Sequence, residues 1–277
     1  MGERRRHGSS RSYRNVVVSR SPEHLARIEQ HAVQAWPAPN SQDIDGWLLR
    51  HTPGMKRLRA SGAALPLSSA TCLCSSLHLV ESFYADRNVP AAVQVSPATD
   101  QTELDQQLAA RGYRFRAPIH VLTAPTDIPM GASGQGIAWD VDVNDRPTAD
   151  WLNAFVEFDG HDDSAHVAEQ VISKISLPTG HLSVRVDNRI VGMGLIVGGD
   201  DQWAGIYCMA THPDHRRQGM GGAVLRAGTH WAIDHGALGL YLQVERAKAA
   251  AQRMYTSAGF FHAYDYHYRV ASHRGHE

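Results

Sequence analysis

Cysteine is scarce in this chain: three in 277 residues, two of them as Cys72-x-Cys74. That count and spacing give neither a disulfide framework nor a zinc-ligand pattern, and they suit a reducing cytoplasm. No apolar run approaches the ~18 residues of a membrane-spanning helix, and the first residues lack the apolar core of a secretory signal. Neither sign of charge is in excess, since 27 Lys and Arg against 28 Asp and Glu leave a formal net charge of −1. Such a balance argues against a dedicated nucleic-acid binder. Neither nucleic acid nor membrane is therefore expected as a partner, and no metal site is expected.

What is present is a foldable composition, with 43% hydrophobic and 20% charged residues. The length suits two domains of modest size. Residues 1–20 form an Arg- and Ser-rich stretch that reads as a flexible basic arm. Ala124 to Gly136 is rich in Pro, Gly and Ser and reads as a linker, dividing the chain into units 21–123 and 138–271.

In the first unit Ser21 caps a helix running to Pro37, with Pro22 at its first position. Extended segments Gly46 to His51 and Arg57 to Leu65 follow, joined by a turn at Pro53 and Gly54. Then come a helix from Leu77 to Arg87, a strand from Ala91 to Ser96, a helix from Glu103 to Arg111 and a strand from Phe115 to Leu122. In the second unit, helices from Thr148 to Glu157 and His166 to Ile175 flank the acidic stretch FDGHDD. A hairpin turns at Asp187-Asn188, and the strand Trp203 to Thr211 leads into a Gly-rich turn and a helix. A strand from Leu240 to Val244, a helix from Lys248 to Ala258 and a strand from Phe261 to Val270 complete the order. Hairpins first and β-α-β later predict an α/β fold with a mixed sheet.

The chain is organised around HRRQGMGGAVL, residues 215–225. A Gly-rich turn that opens a helix directs unpaired N–H groups and the positive end of the helix dipole at one place, where a pyrophosphate can sit. Gly219 and Gly221 keep side chains out of the way, and Arg216 and Arg217 add charge at the rim. The helix beyond carries Val224, Leu225, Gly228, Trp231 and Ala232 on one face, with Gly236 as its stop. A second R-x-x-G-x-A match, Arg59 to Ala64, runs into Pro66 and reads as chance.

Two stretches repeat. VQVS, from Val93, precedes LDQQLAARGYRF, and LQVE, from Leu242, precedes AAQRMYTSAGFF. Each is a strand, a helix ended by a glycine, and an aromatic strand start, which suggests tandem units. The first has Leu108 four residues before its glycine, where the second has Tyr255, and it lacks a credible phosphate loop.

The R-x-x-G-x-G of residues 216–221, together with MATHPDHRRQGMGG and QVERAKAAAQRMYTSAGF, resembles the GNAT superfamily of acyl-CoA-dependent N-acyltransferases. The resemblance implies the GNAT fold in two tandem units, the first degenerate, with acetyl-CoA as co-substrate. It assigns the strand edge that pairs with pantetheine to Met209, Ala210 and Thr211. Pyrophosphate binding falls on Arg216, Arg217, Gln218, Gly219, Met220, Gly221 and Gly222. Lys248 stands where many members have an asparagine that contacts the cofactor. Tyr255 falls on the tyrosine that protonates the departing thiolate, and Gln243 stands where some members have a glutamate base.

Tyr255 also lies in an apolar stripe with Ala251, Met254 and Ala258, so a core aromatic is its other reading. Asp159, His161 and Asp162 lie where the family binds its acceptor. An exposed acidic loop and a cation-attracting rim for an amine are both open readings, and the loop has no recognised metal-ligand spacing. The function expected is acetyl-CoA-dependent acetylation of a small-molecule primary amine by a cytoplasmic monomer or homodimer. The alternatives are a silent acyl-CoA-binding protein and a protein N-terminal or lysine acetyltransferase.

Overall fold

A computed structural model describes residues 21–55, 57–58, 62–67, 76–127, 138–199 and 202–272. The basic arm at 1–20, most of the linker, Cys72 and Cys74 lie outside the described residues. No described helix is long and apolar enough to cross a membrane.

Helix α1 (Pro22–Ala35) begins as its residues dictate, with the Ser21 side chain accepting from the His24 N–H and proline in the first turn. Strands β1 (Asn40–Ile44), β2 (Trp47–His51) and β3 (Leu65–Pro66) form a small sheet in that order. The polar NSQDI segment gave no strand signal. It is exposed along nearly its whole length and is held by the register of β2 rather than by burial. Of the extended segment expected over Arg57 to Leu65, the described residues include the start of the short β3, which pairs with β2. Gly62 leads into that strand and not into a helix, so the Arg59–Ala64 match opens no helix N-terminus; residues 59–61 lie outside the described residues.

Helix α2 (Leu77–Ala85), strand β4 (Ala92–Val95), helix α3 (Thr102–Ala110) and strand β5 (Arg114–Pro125) follow. β5 runs through Ala124 and Pro125, the first two residues of the expected linker. After it come β6 (Asp142–Asn144), α4 (Ala149–Asp159) and α5 (Ser164–Gln170). The short exposed β6 had no periodic signal. The helix expected over His166 to Ile175 breaks at Val171 into α5 and a 3-10 turn, Ile172–Lys174. At the break the Ser173 hydroxyl donates to the Ala168 carbonyl, competing with the helical ladder. Strands β7 (Thr179–Val186) and β8 (Arg189–Val197) turn at Asp187 and Asn188, both at positive φ as a two-residue hairpin requires. The chain ends with β9 (Trp203–Thr211), α6 (Met220–Asp234), β10 (Gly239–Glu245), α7 (Ala249–Ser257) and β11 (Phe261–Val270).

One eight-stranded sheet, ordered β4-β11-β5-β10-β9-β8-β7-β6, runs through both halves. It is mixed: β9 and β10 pair parallel and the other neighbours antiparallel. Strand β5 of the first half sits between β10 and β11 of the second, and β11 in turn pairs with β4. The two repeats have exchanged their final strands. The register confirms their equivalence, since Val93 pairs with Arg269 and its counterpart Leu242 pairs with Leu122. Arg269 and Leu122 each lie ten residues beyond their helix-ending glycines, Gly259 and Gly112.

The sheet divides the core. Helices α1, α4 and α5 bury Ile28, Trp151, Phe155 and Val167 on one face with Tyr207, Tyr241, Tyr264 and Tyr266. Helices α6 and α7 bury Val224, Leu225, Trp231 and Tyr255 on the other with Leu182, Ile206 and Leu242. The stripe read along α6 from sequence is the face that packs, and Gly228 lies against Leu182 and Ile196.

Candidate active site

The parallel pairing of β9 with β10 ends at Ile206 and Leu242, although β9 continues to Thr211 and remains bonded to β8. The cause is local. Cys208 adopts φ 51°, and two residues of β9 stand opposite one of β8 between the pairs Leu195–Tyr207 and Met193–Ala210. A bulge of this kind bends its strand and ends regular pairing. Beyond Ile206, the β10 side of β9 has no strand partner among the described residues, so Met209, Ala210 and Thr211 lie along an open main-chain edge. An extended ligand can add to such an edge as another strand would. Met209 is directed toward α6, where its sulfur lies close to Gly194.

From that edge the chain turns through a 3-10 segment at Pro213–His215 into the Gly-rich loop. Arg216 Nε donates to the Thr211 carbonyl at 3.3 Å, tying the loop back to the end of β9. The Trp139 indole donates to the Gln218 carbonyl at 2.7 Å and fixes the loop from the other side. Arg217 and Gly219 take positive φ, 60° and 85°, and Gly219 is the N-cap of α6. The first helical bond is donated by Ala223 to Gly219, so the preceding N–H groups point free of the helix, as they do at any helix start. A side chain at Gly219 would meet nothing within 4 Å. Gly221 is different: a Cβ there would lie 2.9 Å from the Met254 sulfur, so this glycine lets α7 approach α6. Arg216, Arg217, Gln218 and Gly219 are exposed and Met220 is buried. Lys248 sits at the N-cap of α7, its Nζ 3.9 Å from Glu245.

The open strand edge, the helix N-terminus and the basic rim face one gap between β9 and β10. A family described as "Probable histone acetyltransferase Rv0428c C-terminal" matches residues 24–269. The chain belongs to this family. "Uncharacterized N-acetyltransferase YobR" of Bacillus subtilis is 26% identical over 247 residues, 89% of this chain and 98% of that protein. A GCN5-related N-acetyltransferase from Kribbella flavida superposes with a TM-score of 0.67 at 15% identity, over 91% of this chain and 97% of its own. A tandem GNAT protein from the clavulanic acid biosynthesis pathway, in a structure without AcCoA, superposes with a TM-score of 0.65 at 12% identity, over 95% of each chain. The protein is an N-acetyltransferase of the GNAT superfamily with a tandem fold.

Within the acetyltransferase, Tyr255 is buried on α7, its ring 5.9 Å from that of Phe260 and inclined to it at 62°. Its neighbour Met254 touches Gly221, so α7 carries the tyrosine beside the first turn of α6. Gln243 is half-buried and accepts from the Tyr266 hydroxyl at 3.1 Å. An amide has no basic site that can take up an amine proton, so Gln243 does not replace a glutamate.

The acidic stretch lies near the end of β9, since Phe158 at the close of α4 meets the ring of His212 at 6.0 Å. Part of its charge is offset from the first half: Arg57 contacts Asp159 at 2.8 Å and Asp163 at 2.7 Å. Asp159 also accepts from the Ser164 hydroxyl, while His161 and Asp162 are exposed.

Sequence reasoning missed a polar chain on the α1 face of the sheet, over Gly205 and beside the parting of β9 and β10. Tyr207, the first residue of β9 past the parting, has its hydroxyl 2.6 Å from that of Tyr241, which lies 2.7 Å from Nδ1 of His31. Trp36 stacks on Tyr207 at 5.5 Å. Nearby, Glu29 is buried and accepts from Gln94, Ser96 and Tyr264. Burial raises its carboxyl above the ordinary value, against those hydrogen bonds and the Arg50 charge. No local pattern marks either group, because their partners lie up to 235 residues away.

Proposed function

We propose that this acetyltransferase, acting in the cytoplasm, moves the acetyl group of acetyl-CoA to the primary amine of a small molecule by direct attack. The observation that carries the donor side is the parting of β9 and β10 beside the free N-terminus of α6. In this reading the strand edge takes an amide-bearing arm and the helix N-terminus takes a pyrophosphate. In this reading Met209, Ala210 and Thr211 line the arm, residues 216–222 take the pyrophosphate, and Lys248 adds charge at the rim.

The amine nitrogen bonds to the thioester carbon, the carbon–sulfur bond breaks, and the sulfur takes a proton from Tyr255. The proton lost by the amine enters the Tyr207–Tyr241–His31 chain, where each hydroxyl accepts and donates and the imidazole is the final acceptor. Asp159, His161 and Asp162 form the outer rim of the acceptor side, with Arg57 tempering the negative charge. The first half serves as a degenerate unit that completes the sheet and supplies α1 to the acceptor face.

Acetylation of a lysine or N-terminus in a protein is the second reading, favoured by the family's description. Release of free thiol from acetyl-CoA, measured against small amines and lysine-bearing peptides, decides between them. Turnover confined to peptides would replace the small-molecule reading, and no thiol release from either set would defeat both.

A further inference from the structure

Strands β5 and β11 bring together a group of side chains that the transfer reaction does not use. His120 and Asp265 are direct partners across the strand pair. His120 alternates with Ile119 and Val121, which face α1, so it stands on the opposite face of the sheet, the one that carries α3. Asp265 shares that face, because Tyr264 and Tyr266 on either side of it are buried on the α1 face. Nδ1 of His120 and Nε2 of His262 both lie 2.6 Å from the same oxygen, Oδ1 of Asp265. Their rings are nearly perpendicular at 5.3 Å, and the three nitrogen and oxygen atoms lie within 4.8 Å of one another.

The convergence has a specific backbone cause. His262 and Asp265 are three apart, and in a regular strand they would point to opposite faces. The register of β11 on β5 shifts between His262 and Tyr264, and this bulge turns His262 onto the face of Asp265. The side chains of His120, His262 and Asp265 are 18%, 43% and 51% exposed, which leaves a path from solvent to the point they share.

We propose that His120, His262 and Asp265 bind a divalent transition-metal ion of the zinc type. Two imidazoles and one carboxylate are a ligand set that zinc accepts, with the remaining position filled by water. At Zn–N and Zn–O distances of ~2.0–2.2 Å, ligand atoms in a tetrahedron lie ~3.3 Å apart. The two short histidine–carboxylate distances must therefore open by under ~1 Å, within reach of side-chain rotation. Ligation requires Nδ1 of His120 and Nε2 of His262 to be the unprotonated nitrogens, so each ring keeps its proton on the other nitrogen. The bound ion would clip the last strand of the first repeat to the last strand of the second, at the seam where they exchange.

The test uses the full chain, stripped with a chelator and titrated with Zn²⁺ by calorimetry and with Co²⁺ by visible absorption. Wild type should take up one ion with micromolar or tighter affinity, give Co²⁺ d–d bands, and melt at a higher temperature when Zn²⁺ is added. His120→Ala and His262→Gln should each weaken that site at least tenfold and abolish the bands and the rise in melting temperature. His215→Ala, outside the group, should behave as wild type. Circular dichroism of the variants checks that they remain folded, and the well-exposed His262 tolerates replacement best. Absence of binding by wild type, or equal affinity in wild type and in the folded His120→Ala/His262→Gln variant, overturns the proposal.

Discussion

Ile206 and Leu242 are the last residues at which β9 and β10 face each other as partners. Everything assigned to the acyl donor lies beyond that pair, in the gap opened by the Cys208 bulge and closed at its far end by Gly219 and α6. The two strands belong to one sheet but stop pairing with each other beyond that point, where the acyl donor is proposed to bind.

The first prediction tests the floor of that gap. Gly219→Glu places a carboxylate at the helix N-terminus where the pyrophosphate is proposed to bind, and its Cβ would meet nothing within 4 Å. The left-handed backbone at this position adds strain of ~1–2 kcal/mol for a non-glycine residue. Acetyl-CoA affinity by calorimetry should fall at least ~10-fold, about 1.4 kcal/mol, while the circular dichroism spectrum is retained. Gly221→Glu is the poorer probe, because its first atom collides with Met254 and reports packing. Unchanged affinity in Gly219→Glu would remove the loop from the donor site.

Tyr255→Phe separates its two readings. A thiol that ionises near pH ~8.5 is a fair leaving group, so protonating it helps by a moderate factor. Turnover should fall ~10- to 10³-fold in kcat and kcat/KM together, with acetyl-CoA affinity held within a few-fold. Phenylalanine keeps the packing on Phe260, so the melting temperature should move little. Undiminished kcat would make Tyr255 a core aromatic and nothing more.

A fragment beginning at residue 138 should lose solubility and activity. It lacks β5, which pairs with both β10 and β11, and those two strands would each keep an unpaired edge. Co-expression with residues 21–127 should restore soluble protein, because the missing strand is then supplied in trans. A soluble, active, monomeric fragment would show that the second half closes its own sheet.

His181 should make the fold acid-sensitive. Burial lowers its pKa from 6.5 to about 4, opposed by a hydrogen bond to the Asn144 carbonyl. Between those values the unfolded chain binds the extra proton, so stability is full above pH ~6.5 and declines as pH falls toward about 4. At 1.36 kcal/mol per unit the loss is at most ~3.4 kcal/mol. Urea unfolding of His181→Gln across that range should show a shallower slope than wild type; an identical slope would assign the acid sensitivity to other groups.

The elements that could be read from the chain are those set by local chemistry. Ser21 and Pro22 started α1, Asp187-Asn188 turned a hairpin, and the Val224–Trp231 stripe chose the buried face of α6. The loop at residues 216–222 and Tyr255 carried the family resemblance for the same reason, since their spacing is fixed within one turn or one helix. The polar β1 and the three-residue β6 escaped notice, because an edge strand held by its neighbour's register needs no apolar alternation.

By itself the sequence determined the order of strands and helices, the Gly-rich helix start and the presence of two related repeats. Tertiary structure alone decided that β5 would lie between β10 and β11, that Arg57 would neutralise Asp159, and that Tyr207, Tyr241 and His31 would join in one chain. It also decided that His120 would meet His262 and Asp265. These pairings join residues that lie 34 to 210 positions apart or whose approach depends on a bulge. Such contacts carry no period and no adjacent signal. They follow from sheet register and from which strand fills the space beside another, and both are settled only when the whole chain packs.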